Sequence, residues 1–270
     1  MKRPEFIFDF IKSKNNKSKG TILILPGFAA NFGPWHNILG KLDEYDIYLL
    51  YCPGGLEINC QPIYEEMNEM LRFDFISNYI VDFIKEKHLK DVILMGNCIA
   101  TAMATLVENK CREHISKLVL ITPYCKTYML SKDLVRKYLP VKSIELLVES
   151  GKVIFKKPLE FKNSAYMARY QEAVDSSLAK LTQLEFFMDQ EIYNEDTFNY
   201  ICHSYQQIKV PTLICISMYD PVLHYEEGYK ELKALMPNAK FVIFDDSKHM
   251  LYEEEHEKFT KVLKEFLNHK

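Results

Sequence analysis

The 270-residue chain has few glycines, nine in all, and no long apolar run. The shortage of glycine argues against low-complexity segments and flexible linkers. A helix that crosses a bilayer needs about 18 or more consecutive apolar residues, and no segment reaches that length, so we expect no membrane span. The length suits one large domain, or one domain with an inserted lid.

The chain also lacks an excess of charge of either sign. Its 34 basic and 37 acidic residues give a net charge of −3, and the basic residues are scattered, so we expect no nucleic-acid partner. The sequence GNCIAT at 96–101 has one glycine, which disfavours a dinucleotide-binding module. No His, Cys and Asp residues follow the spacing of metal ligands, so we expect neither a metal nor a cofactor.

Paired cysteine motifs are missing as well. The seven cysteines are an odd number, and no two have CxxC spacing, which argues against a disulfide framework and a zinc site. The first 20 residues show no clear secretory core. These features predict a soluble cytoplasmic protein in a reducing compartment.

What is present is an alternation of short apolar runs with longer amphipathic segments. Runs of four to six branched or aromatic residues predict buried parallel strands. They are Thr21–Leu25, Ile47–Tyr51, Val92–Met95, Leu118–Ile121, Thr212–Ile216 and Phe241–Phe244. Helical stripes lie between them, as at 75–84 and 259–267. The alternation predicts an α/β fold with a mostly parallel sheet flanked by helices.

One region interrupts this rhythm. Residues 124–206 contain no convincing strand, much helical patterning and many Tyr and Phe side chains. We expect a helical lid inserted into a core made of residues 1–123 and 207–270. Such a lid would cover the carboxyl edge of the sheet, where open α/β sheets bind ligands.

A cysteine lies where a strand gives way to a helix. In DVILMGNCIATAMA (91–104), Cys98 follows the apolar run and has Gly96 and Ala100 two residues to either side. A nucleophile elbow needs small residues at those places, because neighbouring backbone passes close by. The start of the helix would also favour a thiolate. A buried structural cysteine in a β–α turn is the alternative interpretation.

A nucleophile needs a base, and the base needs a residue that orients it. Asp220 follows the strand at 212–216, and His249 follows the strand at 241–244. Each has an ordinary alternative: Asp-Pro is a common turn, and a histidine near the end of a chain, such as His256, is usually just solvated. However, Cys98, Asp220 and His249 follow three strands in the nucleophile–acid–histidine order of one hydrolase architecture.

An oxyanion hole would complete the site with two backbone N–H groups. The residue after the nucleophile, Ile99, would supply one of them. The loop in LPGFAANFGPWHNIL (25–39) would supply the other, with Phe28 as the donor. The alternative is an ordinary strand–loop–helix corner.

With these residues in view, the chain resembles the α/β-hydrolases, in the lidded branch of esterases, lipases and thioesterases, over nearly its whole length. The motifs are LPGF at 25–28, GNCIA at 96–100, SMYDPVL at 217–223 and SKHMLYEEE at 247–255. The resemblance implies that Cys98 is the nucleophile, Asp220 the acid and His249 the general base, with Phe28 and Ile99 donating to the oxyanion. The chain departs from the family in having Cys98 where serine is usual.

The resemblance implies an acyl ester or thioester substrate, either a free small molecule or one joined to a carrier or to CoA. A thioester acyl-enzyme on cysteine would be hydrolysed or would pass its acyl group to an acceptor. Aromatic residues of the lid, Tyr170, Phe186 and Phe187, are candidates for the acyl pocket, although they would equally suit the lid's own core. The rival hypothesis is a non-catalytic relative that serves as a ligand-binding protein or scaffold.

Overall fold

A computed structural model describes residues 3–27, 35–53, 67–157 and 164–268. A seven-stranded sheet runs through these residues, with spatial order β1-β3-β2-β4-β5-β6-β7. The strands are β1 Ile7–Ile11, β2 Thr21–Leu25, β3 Asp46–Tyr51, β4 Val92–Asn97, β5 Ile115–Ile121, β6 Thr212–Ser217 and β7 Lys240–Phe244.

All neighbouring strands pair in parallel except β1, which pairs antiparallel with β3 at one edge. Each of the six predicted strands is present, with small differences at the ends. β1 was not predicted, because Asp9 interrupts its apolar pattern and most of the strand faces solvent. β4 lies between β2 and β5 and is buried along its whole length.

The helices cover both faces of the sheet. They are α1 His36–Leu39, α2 Met67–Met70, α3 Phe73–Glu86, α4 Ala100–Cys111, α5 Lys132–Tyr138, α6 Ile144–Ile154, α7 Ser164–Ala179, α8 Leu181–Phe187, α9 Glu195–Gln206, α10 Tyr225–Leu235, α11 Leu251–Glu254 and α12 His256–Asn268. Short 3₁₀ helices occupy Arg112–His114 and Lys126–Ser131, and a π-helix occupies Met188–Ile192.

Side chains alternate across the strands and fill two separate cores. Leu23 and Leu25 of β2 face the layer that holds α3 and α4. Ile22 and Ile24 face the opposite layer, which holds Trp35 and the apolar face of α12. A parallel sheet covered on both faces is therefore fully buried at its centre, which explains the continuous apolar runs in the sequence.

The described part of 124–206, the segment between β5 and β6, is helical and contains no strand. A buried carboxylate ties it to the core: Glu191 accepts hydrogen bonds from the Arg72 side chain (2.9 Å) and from the Phe73 amide (3.0 Å). The Tyr124 hydroxyl adds a bond to the Ile192 carbonyl (2.7 Å). The inserted helices therefore pack against the start of α3.

The architecture confirms the predicted α/β fold, a mostly parallel sheet flanked by helices. Among the helices of the described residues, none combines the length and apolar character needed to cross a bilayer.

Candidate functional site

The turn from β4 into α4 is tight and strained at the cysteine. Cys98 has a left-handed backbone with φ 57°, a conformation that a residue with a side chain seldom adopts. Its amide donates to the Ile121 carbonyl (2.9 Å), which fixes the turn against β5. A Cβ atom on Gly96 would lie 2.6 Å from the Ala100 carbonyl oxygen, so only glycine fits there. The half-buried Cys98 side chain is thus held at the carboxyl end of the central strand.

The loop that follows β2 approaches the same cysteine. A Cβ atom on Gly27 would lie 3.1 Å from the Cys98 Cβ atom and 3.2 Å from the Asn97 carbonyl oxygen. Glycine therefore allows the two backbones to come close together. Phe28, the predicted oxyanion donor on this loop, lies outside the described residues.

Ile99 is the residue that precedes α4, and its backbone is already in the right-handed helical region. Its carbonyl accepts from Ala102 (3.0 Å), while its amide has no acceptor among the described residues. An unpaired N–H at the start of a helix, next to the nucleophile candidate, is the geometry that an oxyanion donor needs.

The Asp220 carboxylate is buried in the loop after β6 and is held by that loop's own backbone. Its Oδ1 atom accepts from the amides of Val222 (2.8 Å) and Leu223 (3.1 Å). These bonds fix the carboxylate in one orientation, because each involves rigid backbone near Pro221.

His249 lies between the carboxylate and the thiol. Its Nδ1 atom is 2.9 Å from Asp220 Oδ2 and 3.0 Å from Oδ1, and its side chain is only 8% exposed. Burial by itself lowers the pKa of His249. The charge of Asp220, the charge of Cys98 and the hydrogen bond to Asp220 outweigh burial and raise that pKa well above its ordinary value of 6.5. With Nδ1 bound to Asp220, Nε2 is the nitrogen that faces Cys98.

A polar network supports the loop that holds His249. Ser217, at the end of β6, donates to the Ser247 carbonyl. The Ser247 hydroxyl donates to Glu255 Oε1 (2.6 Å), and the Asp246 amide donates to the same oxygen (3.1 Å). These residues could not be predicted from the sequence, since two serines 30 positions apart have no local pattern that links them.

Four further polar side chains near Cys98 were not predicted. Asn97 is buried, and it accepts from the Thr122 hydroxyl (3.1 Å) and donates to the Tyr252 hydroxyl (3.4 Å). The Tyr128 hydroxyl lies 3.6 Å from Cys98 Sγ. Asn97 is adjacent to Cys98 in the sequence, whereas Thr122, Tyr252 and Tyr128 come near it only in the folded chain.

The three predicted acyl-pocket residues differ in burial and in the groups that they contact. Phe187 is 2% exposed and packs edge-on against Phe73, with ring centroids 5.5 Å apart. Phe186 is half-buried, with the Arg72 guanidinium 5.5 Å from its ring centre. Tyr170 is half-buried on α7. Phe187 is therefore part of the packed core, whereas Phe186 and Tyr170 keep partly exposed surfaces.

The chain is similar to known proteins over nearly its full length. A protein of Mycoplasma pneumoniae named "Putative esterase/lipase 3" is 20% identical over 269 residues, which cover 96% of this chain and 91% of that protein. A solved structure described as a putative lipase from Acinetobacter baumannii superposes with a TM-score of 0.81 at 17% identity, covering 99% of this chain and 89% of the other.

A crystal structure described as a membrane phospholipase A, a bacterial virulence factor, superposes with a TM-score of 0.78 at 19% identity, covering 97% of this chain and 82% of the other. At such identities the superpositions show a shared fold. The family described as the alpha/beta hydrolase fold matches residues 20–256, which include the β4–α4 turn, Asp220 and His249. The chain belongs to the alpha/beta hydrolase fold family.

Proposed function

We propose that this hydrolase acts on acyl esters or thioesters through a covalent acyl-enzyme on Cys98. The observation that supports this most strongly is the geometry of His249: Nδ1 binds both oxygens of the buried Asp220 carboxylate, and Cys98 is near enough to help raise the pKa of the ring. In this role Asp220 orients the imidazole, His249 takes the thiol proton, and the sulfur attacks the acyl carbon.

In the proposed mechanism the Ile99 amide donates to the oxyanion that forms on the acyl oxygen. Phe28, which follows Gly27 in the sequence, is the second proposed donor. The protonated His249 then gives its proton to the leaving alcohol or thiol, which completes acylation. Water, activated by the neutral imidazole, hydrolyses the thioester in the second half of the reaction.

The substrate class rests on the names of relatives. The Mycoplasma pneumoniae protein is called an esterase/lipase, and one solved neighbour is called a phospholipase A. We propose for this chain a small-molecule acyl ester or thioester, free or joined to a carrier or to CoA. We further propose that residues 124–206 act as a lid, with Tyr170, Phe186 and Phe187 contributing to acyl selectivity, and that the protein works in the cytoplasm.

Acyl transfer is a second candidate, and the observation that favours it is the cysteine itself. A thioester on Cys98 keeps much of the activation of a thioester substrate, so an amine or alcohol acceptor can compete with water. A non-catalytic scaffold is less compatible with the site, because a scaffold has no need for an oriented Asp220–His249 pair beside a strained cysteine.

The test is turnover of a series of p-nitrophenyl acyl esters and acyl-CoA thioesters, with and without amine and alcohol acceptors. Cys98→Ala should lower kcat/KM by about a thousandfold or more. Cys202→Ala is the matched control, since Cys202 is also a half-buried cysteine, and it should keep full activity. Unchanged turnover in Cys98→Ala would overturn the proposal.

A further inference from the structure

The Tyr128 hydroxyl is placed to act on the sulfur of Cys98. Its oxygen lies 3.6 Å from Cys98 Sγ and 2.8 Å from the Thr122 carbonyl oxygen, to which it donates. The residue is 1% exposed. A phenol has a single proton to donate, so these two acceptors compete for it.

Several bonds fix the position of this hydroxyl. Tyr128 lies on the 3₁₀ helix that follows β5, and its ring packs edge-on against Tyr124 at 5.2 Å between centroids. The neighbouring Thr127 hydroxyl donates to the Leu223 carbonyl (2.6 Å), which ties this helix to the Asp220 loop. Thr122 has a left-handed backbone (φ 43°), and its side chain donates to Asn97 beside the cysteine.

We propose that the Tyr128 hydroxyl donates a hydrogen bond to the Cys98 thiolate and thereby makes Tyr128 a further catalytic residue of this site. When the thiol loses its proton to Nε2 of His249, the S–H bond breaks and an N–H bond forms. The Tyr128 O–H then turns from the Thr122 carbonyl toward the sulfur and keeps its own proton. A hydrogen bond to a charged acceptor is stronger than one to a neutral carbonyl, which drives the turn.

The surroundings keep Tyr128 a donor rather than a base. Burial, followed by the charges of Cys98 and Asp220, raises the pKa of Tyr128 well above its ordinary value. The phenol therefore stays protonated when the thiolate forms. His249, whose pKa is raised by Asp220 and Cys98 against the effect of burial, is the group that accepts the thiol proton.

The role assigned to Tyr128 rests on Cys98 being the nucleophile, but its test does not need a substrate. Iodoacetamide reacts with thiolates, so the rate of alkylation of the Cys98 peptide, followed by mass spectrometry from about pH 5 to 10, reports thiolate formation. Tyr128→Phe removes only the hydroxyl. At neutral pH, alkylation of Cys98 should slow about tenfold, as expected for loss of a hydrogen bond to a charged group. The midpoint of the profile should move up by about one pH unit, and the plateau at high pH should be unchanged.

Tyr124→Phe is the matched control. It also removes a buried hydroxyl that donates to a backbone carbonyl, that of Ile192, and it should leave the Cys98 profile unmoved. Cys202 gives an internal comparison in every sample, because burial and then Glu231 raise its pKa to about 12. It should react far more slowly than Cys98.

A Tyr128→Phe profile that overlays the parent, or that falls equally at every pH, would overturn the proposal. If this variant does not fold, the same alkylation profile is measured with 3-fluorotyrosine at position 128, which should shift it in the opposite direction. A fluorinated phenol is a stronger donor, so the midpoint should move to lower pH, and an unmoved midpoint would refute the proposal. Failure of the proposed acyl chemistry would be seen separately, as unchanged turnover in Cys98→Ala.

Discussion

Among single residues, His249 combines burial with a direct contact to a charged group. Its imidazole is almost fully buried, yet it faces a carboxylate that is itself inaccessible to solvent. Such a pair is stable only if both members are oriented, and the Val222 and Leu223 amides orient Asp220. The buried imidazole therefore depends on the buried carboxylate as its hydrogen-bond partner, and the carboxylate depends on the loop amides for its orientation.

The raised pKa of His249 gives a stability that depends on pH. A histidine whose pKa is higher in the folded than in the unfolded chain stabilises the fold fully below its ordinary value of 6.5, and this contribution is lost as the pH rises through the higher folded value. In a Cys98→Ala background, where Asp220 is the remaining source of the shift, His249→Gln should therefore lower the free energy of unfolding more at about pH 6 than at about pH 9.

Urea unfolding of both chains at the two pH values is the measurement for this prediction. His256→Gln is the control, since His256 contacts Lys41 and not Asp220, and its effect should be small at both pH values. If the His249→Gln difference were equal at the two pH values, or greater at the higher one, the assigned direction of the pKa shift would be wrong.

At the scale of elements, the β4–α4 junction is held together by close backbone contacts. The Cys98 backbone is left-handed (φ 57°), a conformation that costs about 1–2 kcal/mol for a residue with a side chain. The turn tolerates it because Cys98 is bonded to β5 and Gly96 packs against the first turn of α4. Strain of this kind is found mostly at functional positions.

Gly96→Ala tests this junction. The new methyl group would meet the Ala100 carbonyl oxygen at 2.6 Å and the Thr101 amide nitrogen at 2.9 Å, and neither backbone atom can move without displacing α4. We expect a loss of about 1–3 kcal/mol in the free energy of unfolding, with a large loss of activity.

Gly151→Ala is the matched control for that variant. Gly151 lies in α6, and a Cβ atom there would meet nothing within 4 Å. Alanine should therefore leave activity unchanged and add up to about 1 kcal/mol of stability, because it favours the helix. A Gly96→Ala chain with the stability and activity of the parent would contradict the tight-junction account.

Sequence patterns predicted the elements that have strong periodicity. The apolar runs located β2 to β7, and the stripes at 75–84 and 259–267 lie within α3 and α12. The helical patterning of 124–206 is present in the described residues, but the chain there is divided, as between α7, α8, the π-helix and α9. Such breaks depend on tertiary contacts, here the Glu191 carboxylate bound to Arg72 and Phe73, and no local periodicity reveals them.

The candidate site was predictable to the extent that its residues follow strands. Parallel strands bring their carboxyl ends to one edge, so a cysteine, an aspartate and a histidine after β4, β6 and β7 were expected to meet. Tyr128 was not predictable in this way, because it reaches the sulfur through a 3₁₀ helix that folds back on β5.

At the scale of the whole molecule, the inserted helices contact the core on two sides. Glu191 joins them to α3, as described above. Glu254 of α11 accepts from the backbone amides of Lys156 and Lys157, and also from that of Lys248, next to His249. The residues that follow α6 are therefore bonded to the same carboxylate as the histidine loop.

The lid hypothesis predicts a change in selectivity without a change in chemistry. Phe186 is half-buried and is not part of the packed core, so Phe186→Ala should alter the preference for acyl-chain length, measured as kcat/KM across the ester series, while acetyl turnover stays within about threefold. Phe187→Leu should lower stability in addition, because Phe187 is packed against Phe73.

Tyr200→Ala is the control, since Tyr200 is an aromatic residue of the same segment whose hydroxyl contacts Asp74 on α3. It should leave chain-length preference as in the parent. An unchanged preference in Phe186→Ala would show that Phe186 does not contact the acyl chain.

The mass of the enzyme during turnover shows directly whether Cys98 carries the acyl group. The protein is mixed with an acyl-CoA thioester, quenched in acid and analysed intact and as peptides. We expect the mass to rise by one acyl group on the peptide that contains Cys98, and we expect no adduct in Cys98→Ala. His249→Ala, which should lose most of its activity, should also form the adduct more slowly. Turnover without an adduct on Cys98, or an adduct on another residue, would contradict the account.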